Sequence, residues 1–197
     1  SQVGYGDVSA TGGKMHALLW NGTAESIGDL NPAVFDYSIA YGVHGMSQVG
    51  YGYGPATGGK AHALLWNGTA ESVVDLHPSG FSSSTANGIW GATQVGNGGG
   101  SPTGGNQHAL LWNGTADSMV DLNPDGFASS FATDISGTSQ VGYGRGVATG
   151  GYTHALLWNG TAEGVIDLNP DGIDISAASG VWGDSQAGYG SGPATNY

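Results

Sequence analysis

The sequence contains no cysteine and unusually few charged residues. The absence of cysteine among its 197 residues excludes a disulfide framework and thiol chemistry. Charged residues make up 9% of the chain, against about 25% in typical globular domains. The cations are only Lys14, Lys60 and Arg145, and the formal net charge is −12. Because so acidic a surface repels phosphate backbones and anionic lipids, the sequence predicts no nucleic-acid partner.

Long hydrophobic runs and helical periodicity are also missing. No segment approaches the roughly 20 apolar residues of a membrane-spanning helix, so we predict no membrane insertion. The sequence opens on a repeat strand rather than on a signal peptide, so we expect either that a signal was removed or that the sequence was cut at a repeat boundary. No window combines an amphipathic stripe with helix-capping signals, whereas glycine supplies 39 of the 197 residues. These features predict an all-β protein.

One motif organises the whole chain. His-Ala-Leu-Leu-Trp-Asn-Gly-Thr recurs four times at a constant spacing of 46 residues, at 16–23, 62–69, 108–115 and 154–161. A fixed period between 20 and 50 residues is typical of repeat architectures. We therefore predict a single repeat domain over 1–197, with units at 1–46, 47–92, 93–138 and 139–184 and a partial fifth unit at 185–197.

Each complete unit predicts four short strands, which we call A to D. Strand A is the small-residue run typified by 84–91, strand B is the Gln-Val-Gly run typified by 47–52, strand C is 62–66 and strand D is 69–76. Asn67-Gly68 predicts a type I′ hairpin between strands C and D. Units of this size with four strands predict a β-propeller of four-stranded antiparallel blades, with strand A at the axis.

The order of strands leaves two ways to assemble such a propeller. The chain reads B-C-D, then A-B-C-D three times, then A-B, and 185–197 realigns with 1–13. Strand A at 176–183 can complete the blade begun at Ser1, which closes the ring and removes open edges. We favour four blades in a monomer. The alternative is an eight-bladed ring formed by a homodimer through strand exchange.

These motifs together resemble the HAF family of extracellular repeats. That family has a His-Ala-Phe strand followed by Leu-Trp, then an Asp-Leu segment, a Ser-x-Ala-x-Gly-Ile run and a Gln-Val-Val-Gly strand. The matching segments are His16-Ala17-Leu18-Leu19-Trp20, Asp29-Leu30, Ser84-x-Ala86-x-Gly88-Ile89 and Gln48-Val49-Gly50. The chain departs by having Leu for Phe in all four copies and a single Val in strand B. The resemblance implies bacterial export and a propeller-like fold, and it implies no activity.

A histidine, a tryptophan and an aspartate recur in register in every unit. Four histidines in register could bind a metal, since imidazole is a common ligand. Equivalent positions in separate blades are too far apart to share an ion unless they line the axis. The pattern is similar to the hydrogen-bond networks of WD40 blades, so we predict a structural network of His16, Trp20, Asp29, His62, Trp66, Asp75, His108, Trp112, Asp121, His154, Trp158 and Asp167.

Two turns resemble the first half of a calcium loop, in which oxygen ligands alternate along the chain before a glycine. Their candidate ligands are Asp121, Asn123, Asp125, Asp167, Asn169, Asp171 and Asp174. No copy carries the bidentate glutamate at the twelfth position, and a proline lies inside each loop. We therefore favour plain turns and predict no cofactor, with calcium as the alternative.

Nothing in the repeat predicts catalysis. No Ser-His-Asp spacing departs from the 46-residue period, so the protein is predicted not to be an enzyme. Variable positions within a constant framework are instead typical of ligand binding, and the candidates are His44, Tyr51, Trp90, Tyr143 and Trp182. We predict an extracellular scaffold or recognition module for an unknown protein or glycan. The alternatives are a carbohydrate-binding propeller, which requires solvent-exposed Trp90 and Trp182, and a calcium-stabilised adhesion module.

Overall fold

The computed structural model of the protein describes residues 1–8 and 13–193. This part of the chain is all-β and contains no α-helix, as predicted, and within it no helix is long and apolar enough to cross a membrane. Residues 194–197 of the predicted fifth unit lie outside the described range. Short 3-10 turns separate some strands, at Ala24–Ser26, Pro55–Thr57, Ala70–Ser72, Ser101–Thr103, Ala116–Ser118 and Val147–Thr149.

The described strands form five antiparallel sheets that follow one another along the chain. The first sheet has three strands, β1 (Gln2–Val8), β2 (Lys14–Trp20) and β3 (Gly28–Asp29). The next three sheets have four strands each. The second sheet contains β4 (Tyr37–His44), β5 (Ser47–Tyr53), β6 (His62–Trp66) and β7 (Val74–Asp75). The third sheet contains β8 (Phe81–Trp90), β9 (Thr93–Gly100), β10 (Gln107–Trp112) and β11 (Val120–Asp121).

The fourth and fifth sheets complete the described chain. The fourth sheet contains β12 (Phe127–Ser136), β13 (Ser139–Gly146), β14 (His154–Trp158) and β15 (Ile166–Asp167), and the fifth contains β16 (Ile175–Trp182) and β17 (Ser185–Ser191). In each four-stranded sheet the strands pair in chain order A-B-C-D. The predicted closing pair differs, because β16 pairs with β17 and not with β1. The structure therefore has three complete four-stranded sheets.

The connection between strands C and D is wider than the sequence predicted. Strand D is reduced to two residues, and none of the described non-glycine residues, Asn67 included, has a positive φ. The predicted type I′ turn is therefore wrong, although Gly68 does have a φ of 84°. The Ser72 hydroxyl accepts a hydrogen bond from the Asn67 N–H at 2.8 Å and donates one to the Thr69 carbonyl at 2.6 Å. These bonds close a longer loop around the 3-10 turn.

The hydrophobic core lies between consecutive sheets. Leu76 of the second sheet belongs to the same buried cluster as Trp112 of the third, and both side chains are fully buried. The same arrangement joins Leu30 to Trp66 and Leu122 to Trp158. Strand C of the second, third and fourth sheets thus carries a tryptophan into the core that the sheet shares with the preceding one. Apolar burial between sheets is the largest stabilising contribution to such a fold.

A β-bulge in every strand A explains the glycine of the Gln-Val-Gly motif. Phe131 and Ala132 pair with β13, and the register shifts at Thr133, which is left without an opposite residue. A Cβ on Gly142 would lie less than 3.0 Å from the Phe131 carbonyl oxygen. The close approach of the bulged strand therefore requires glycine at this place in strand B.

We expect Trp112→Ala to destabilise the protein by about 3–5 kcal/mol, because it empties a fully buried site between the second and third sheets. The free energy of unfolding from chemical denaturation measures the loss. Trp182→Ala is the matched control, since Trp182 is 74% exposed and should cost less than about 1 kcal/mol. Equal losses in the two variants would contradict the assignment of the core.

Candidate functional site

A hydrogen-bond network connects each sheet to the next one. His108 Nδ1 lies 2.7 Å from Asp121 Oδ2, and Asp121 Oδ1 accepts the N–H of Asn123 at 2.8 Å. The Asn123 side-chain oxygen accepts the hydroxyl of Ser130 at 2.7 Å. Ser130 Oγ in turn accepts the N–H of Ala109 at 3.0 Å. Since Ser130 belongs to β12 and Ala109 to β10, the network joins the third sheet to the fourth.

The His–Asp and Ala–Ser contacts recur at the other three junctions. The His–Asp distance is 2.7 Å in every copy, for His16–Asp29, His62–Asp75 and His154–Asp167. The predicted histidines and aspartates are thus brought together within each sheet. The predicted tryptophans do not join them, since Trp66, Trp112 and Trp158 lie in the core and Trp20 is only partly buried. The Trp158 indole N–H donates to the Leu122 carbonyl at 2.9 Å, while those of Trp66 and Trp112 have no partner among the described residues.

The calcium candidates are not assembled into a site. Both carboxylate oxygens of Asp121 are engaged by His108 and the Asn123 N–H, and Asp167 makes the equivalent contacts. Asp125, Asp171 and Asp174 are exposed. In the described ranges no three His, Cys, Asp or Glu side chains lie close enough to hold an ion together. The side-chain oxygens of Asp121, Asn123, Asp167 and Asn169 therefore serve the hydrogen-bond network.

The second junction has a histidine where the others have asparagine. His77 Nδ1 lies 2.8 Å from Ser84 Oγ and its Nε2 lies 3.2 Å from the Phe81 carbonyl oxygen. Its ring stacks on that of His62, with ring centroids 3.7 Å apart. Burial lowers the pKa of His77, and the neighbouring His62 lowers it further. Neutral His77 therefore replaces Asn31, Asn123 and Asn169 in the network.

Three of the predicted ligand-binding residues form one aromatic cluster, which consists of His44, Trp90 and Trp182. The centroid of the Trp90 ring lies 4.8 Å from that of the His44 ring. It lies 5.5 Å from that of the Trp182 ring, and these two tryptophan rings meet edge to face. His44 also accepts the N–H of Gly91 through Nδ1. Trp182 is 74% exposed, whereas Trp90 is partly buried. The structure thus brings together side chains from three different sheets.

Tyr51 lies elsewhere, beside a cavity of about 500 Å³. Tyr41, Asn87 and Thr133 line this cavity, and each is the bulged residue of its own strand A. Asn87 Nδ2 donates to the Ala132 carbonyl at 2.8 Å, which links β8 to β12. Burial raises the pKa of Tyr51 far above its ordinary range. Residues from the strands A of three successive sheets therefore line one cavity.

Tyr143 belongs to a separate groove between the third and fourth sheets, which we call the Arg145 groove. It encloses about 410 Å³ and is lined by Gln107, Ser129, Phe131, Tyr143 and Arg145, among others. The rings of Phe131 and Tyr143 stack with their centroids 5.0 Å apart. Sequence reasoning missed Phe131 and Gln107. The sequence did carry one signal for this groove. Arg145 is the only arginine of the chain, so this position breaks the symmetry of the repeat.

The polar groups of the Arg145 groove differ in how firmly they are held. The side-chain oxygen of Gln107 accepts the amide of Asn97 at 2.8 Å, so that its position is fixed. Arg145 is exposed, and its guanidinium makes no hydrogen bond or ion pair with the described residues. The stacked Phe131 and Tyr143 rings lie beside the Arg145 guanidinium, which has five N–H donors. This combination suits a ligand with one apolar face and several hydroxyl groups.

Comparison with known proteins identifies no match for this sequence. The sequence matches no protein-family model, and it matches no curated protein. The resemblance to HAF repeats therefore stays a prediction.

We expect Ser130→Ala to destabilise the protein by about 1–3 kcal/mol, because it leaves the buried N–H of Ala109 without its acceptor. Denaturant unfolding measures this loss. Ser179→Ala, on the exposed bulge of β16, is the control and should leave stability within about 0.5 kcal/mol of the wild type. A Ser130 variant as stable as the control would show that the hydroxyl does not join the sheets.

We also expect His77→Asn to make stability less sensitive to acid. The pKa of His77 is lower in the folded protein than its ordinary value of about 6.5, so the unfolded chain binds the proton more tightly. The contribution of neutral His77 is fully present above that value and is lost as pH falls through the folded pKa. Unfolding free energies measured from about pH 7.5 to about pH 5 should decrease more in the wild type than in the variant. Parallel curves would contradict this assignment.

Proposed function

We propose that the four-stranded sheets are blades of a β-propeller with strand A innermost. The shared cavity supports this arrangement, because bulged residues of β4, β8 and β12 line it together. The contact between Trp90 and Trp182 also supports it, since these residues belong to the third and fifth sheets. Sheets two steps apart can meet in this way only if successive sheets rotate steeply about a common axis.

We further propose that the protein is a non-enzymatic extracellular recognition module that binds a neutral saccharide in the Arg145 groove. The groove itself is the observation that carries this proposal. Its concave shape and volume suit one or two sugar rings. The extracellular location rests on the resemblance to HAF repeats.

The aromatic pair supplies the apolar contact for a sugar ring. Phe131 and Tyr143 are partly buried and stacked, so they keep a fixed surface without further ordering on binding. Gln107 and Ser129 flank that surface with side chains able to accept and donate hydrogen bonds. A rigid aromatic surface with polar groups at its margin is typical of sites that recognise amphipathic ligands.

The charge of the protein favours neutral over anionic saccharides. With a net charge of −12, the molecule repels polyanions at long range, and this effect weakens with salt. Arg145 acts at short range, where its planar guanidinium can donate several hydrogen bonds to hydroxyl oxygens. It is also free to do so, having no carboxylate partner among the described residues.

Non-enzymatic binding fits the chemistry of the histidines. In each His–Asp pair the aspartate carboxylate contacts Nδ1 of the histidine, as in a catalytic triad. A triad also needs a hydroxyl nucleophile bonded to Nε2. The side-chain hydrogen bonds of these four histidines are made by Nδ1, and their Nε2 atoms bond to no hydroxyl in the described part of the chain. The pairs instead continue into the network that joins the sheets.

The exposed Trp182 ring favours a second saccharide surface. Sequence reasoning required exposed Trp90 and Trp182 for carbohydrate binding, and only Trp182 meets that condition. The aromatic cluster projects from the end of strand A, where it offers a stacking platform without the enclosing walls of the groove. We rank it second because a convex platform buries less of a ligand.

Binding to a glycan array, followed by calorimetry with the strongest neutral ligand, tests the proposal. Arg145→Gln should weaken binding about tenfold, because it removes charge-assisted hydrogen bonds. Lys60→Gln is the matched control, since it removes the same charge from an exposed site outside the groove lining and should leave affinity unchanged. Trp182→Ala tests the aromatic cluster with the same ligand.

Three results would count against the groove. Absence of binding to every neutral glycan would overturn saccharide recognition. Equal losses in the Arg145 and Lys60 variants would assign the effect to net charge. A loss confined to Trp182→Ala would move the site to the aromatic cluster.

A further inference from the structure

A row of hydrogen-bonded side-chain amides crosses the third sheet and ends in the Arg145 groove. Asn87 Nδ2 donates to Asn97 Oδ1 at 3.2 Å, and Asn97 Nδ2 donates to Gln107 Oε1 at 2.8 Å. We call Asn87, Asn97 and Gln107 the amide row. They belong to β8, β9 and β10, so the row runs from strand A to strand C. Its last member, Gln107, lines the groove.

The amide row belongs to the third unit alone. Asn97 stands where strand B of the other units has a tyrosine, as at Tyr51 and Tyr143. The positions equivalent to Asn87 and Gln107 also carry no amide side chain in any other unit. The row is therefore no part of the repeated framework, and its end in the groove indicates a role in that groove.

One backbone carbonyl fixes the direction of the amide row. Asn87 Nδ2 also donates to the Ala132 carbonyl at 2.8 Å, and a carbonyl oxygen can only accept. Turning the Asn87 amide over would bring two oxygens together, so its nitrogen must face Ala132 and Asn97. Asn97 must then accept with its oxygen and donate with its nitrogen. The oxygen of Gln107 is thereby held toward Asn97.

The Gln107 nitrogen is therefore the atom of this side chain left for a ligand. Nε2 carries two N–H hydrogens, and its contact with Ser83 Oγ is long, at 3.4 Å. The Arg145 guanidinium likewise has donors and no acceptor. The hydroxyls of Ser129 and Thr153, which also line the groove, can rotate to donate or accept, so they do not select between the two. Gln107 and Arg145 thus both call for an acceptor on the ligand.

The ligand group that fits these donors is a neutral acceptor with no hydrogen on its accepting atom. A carboxylate accepts well, but the net charge of −12 disfavours an anion. A hydroxyl can accept, but it brings an O–H that needs an acceptor of its own. An amide carbonyl is neutral and its oxygen only accepts. On a saccharide this group is an acetamido substituent, whose methyl group can also pack against the Phe131 and Tyr143 rings.

We propose that the Arg145 groove selects N-acetylated saccharides, with the Gln107 amide donating to the acetamido carbonyl. Asn87 and Asn97 are positioning residues, since they act on the ligand only by keeping Gln107 turned to donate. This inference rests on the proposed saccharide recognition and names the class of sugar.

A glycan array that prints each N-acetylated hexosamine beside its parent hexose tests the selection. We expect the N-acetylated member to bind about tenfold more tightly in calorimetry, because it gains one well-placed hydrogen bond. Equal affinity within every pair, or a preference for the parent hexose, overturns this inference and leaves saccharide recognition standing. Absence of binding to every neutral glycan overturns both.

Two variants test the orientation of Gln107. Gln107→Glu keeps the acceptor for Asn97 and replaces the donating nitrogen with an oxygen, so the preference for the N-acetylated sugar should fall about tenfold. Asn97→Asp places an acceptor opposite Gln107, whose amide must turn round to donate to it. The groove then meets the Gln107 oxygen, and the preference should fall by a similar factor.

The ratio of the two affinities separates positioning from a structural role. A merely structural loss in Asn97→Asp would weaken both members of a pair equally and keep the ratio. Asn67→Asp is the matched control, because it makes the same change at an exposed residue outside the groove lining and should leave the ratio unchanged. A wild-type ratio in Asn97→Asp overturns the positioning role.

Asn87→Thr tests the same role without adding charge. In the fourth unit Thr133 holds this place and donates to the Ala178 carbonyl at 2.9 Å, so threonine can keep the contact between sheets. The variant removes the amide that orients Asn97, which leaves Gln107 free to turn either way. We expect the preference for the N-acetylated sugar to fall in calorimetry, though less than in Gln107→Glu. An unchanged preference overturns the control of Gln107 by the amide row.

Discussion

The fold depends on a serine hydroxyl that joins each sheet to the next. Ser38, Ser84, Ser130 and Ser176 each accept the N–H of the alanine in the preceding strand C at 3.0 Å, and all four are buried. A buried N–H without an acceptor is costly, so this contact fixes the distance and register between sheets. The tryptophan–leucine packing on the same junction supplies the apolar burial. The serine contact occurs at all four junctions, and the tryptophan–leucine packing occurs at the first three.

A constant junction separates residues that hold the fold from residues free to recognise a ligand. His, Asp, Ser and Leu positions of the network and core repeat almost without change, whereas Phe131 and Arg145 of the Arg145 groove stand at positions that differ in every unit. Phe131, for example, stands where other strands have Ile39, Thr85 and Ala177. Repeat proteins that share nearest-neighbour interfaces in this way can vary their surfaces without altering their stability.

Much of the architecture follows from the sequence, because period and strand patterning are local signals. The 46-residue period predicted units of four strands. Strand C was predicted with the bounds that the structure has, His62–Trp66. The Asn67-Gly68 turn was mispredicted, because Ser72 five residues later controls that loop through its hydroxyl. The predicted structural network contained the histidines and aspartates, but it did not contain the continuation through Asn123 to Ser130, since that continuation crosses between sheets. The Arg145 groove was missed for the same reason, as its walls come from two units.

The bulge in strand A has a consequence for how this protein could change. It leaves one residue per unit without an opposite neighbour, and these residues are Tyr41, Asn87, Thr133 and Ser179. The side chains of Tyr41, Asn87 and Thr133 line the shared cavity. None of these three residues belongs to the buried clusters between the sheets, so a substitution there changes the cavity wall and spares the core. Three units can thus each alter the chemistry of the same cavity independently.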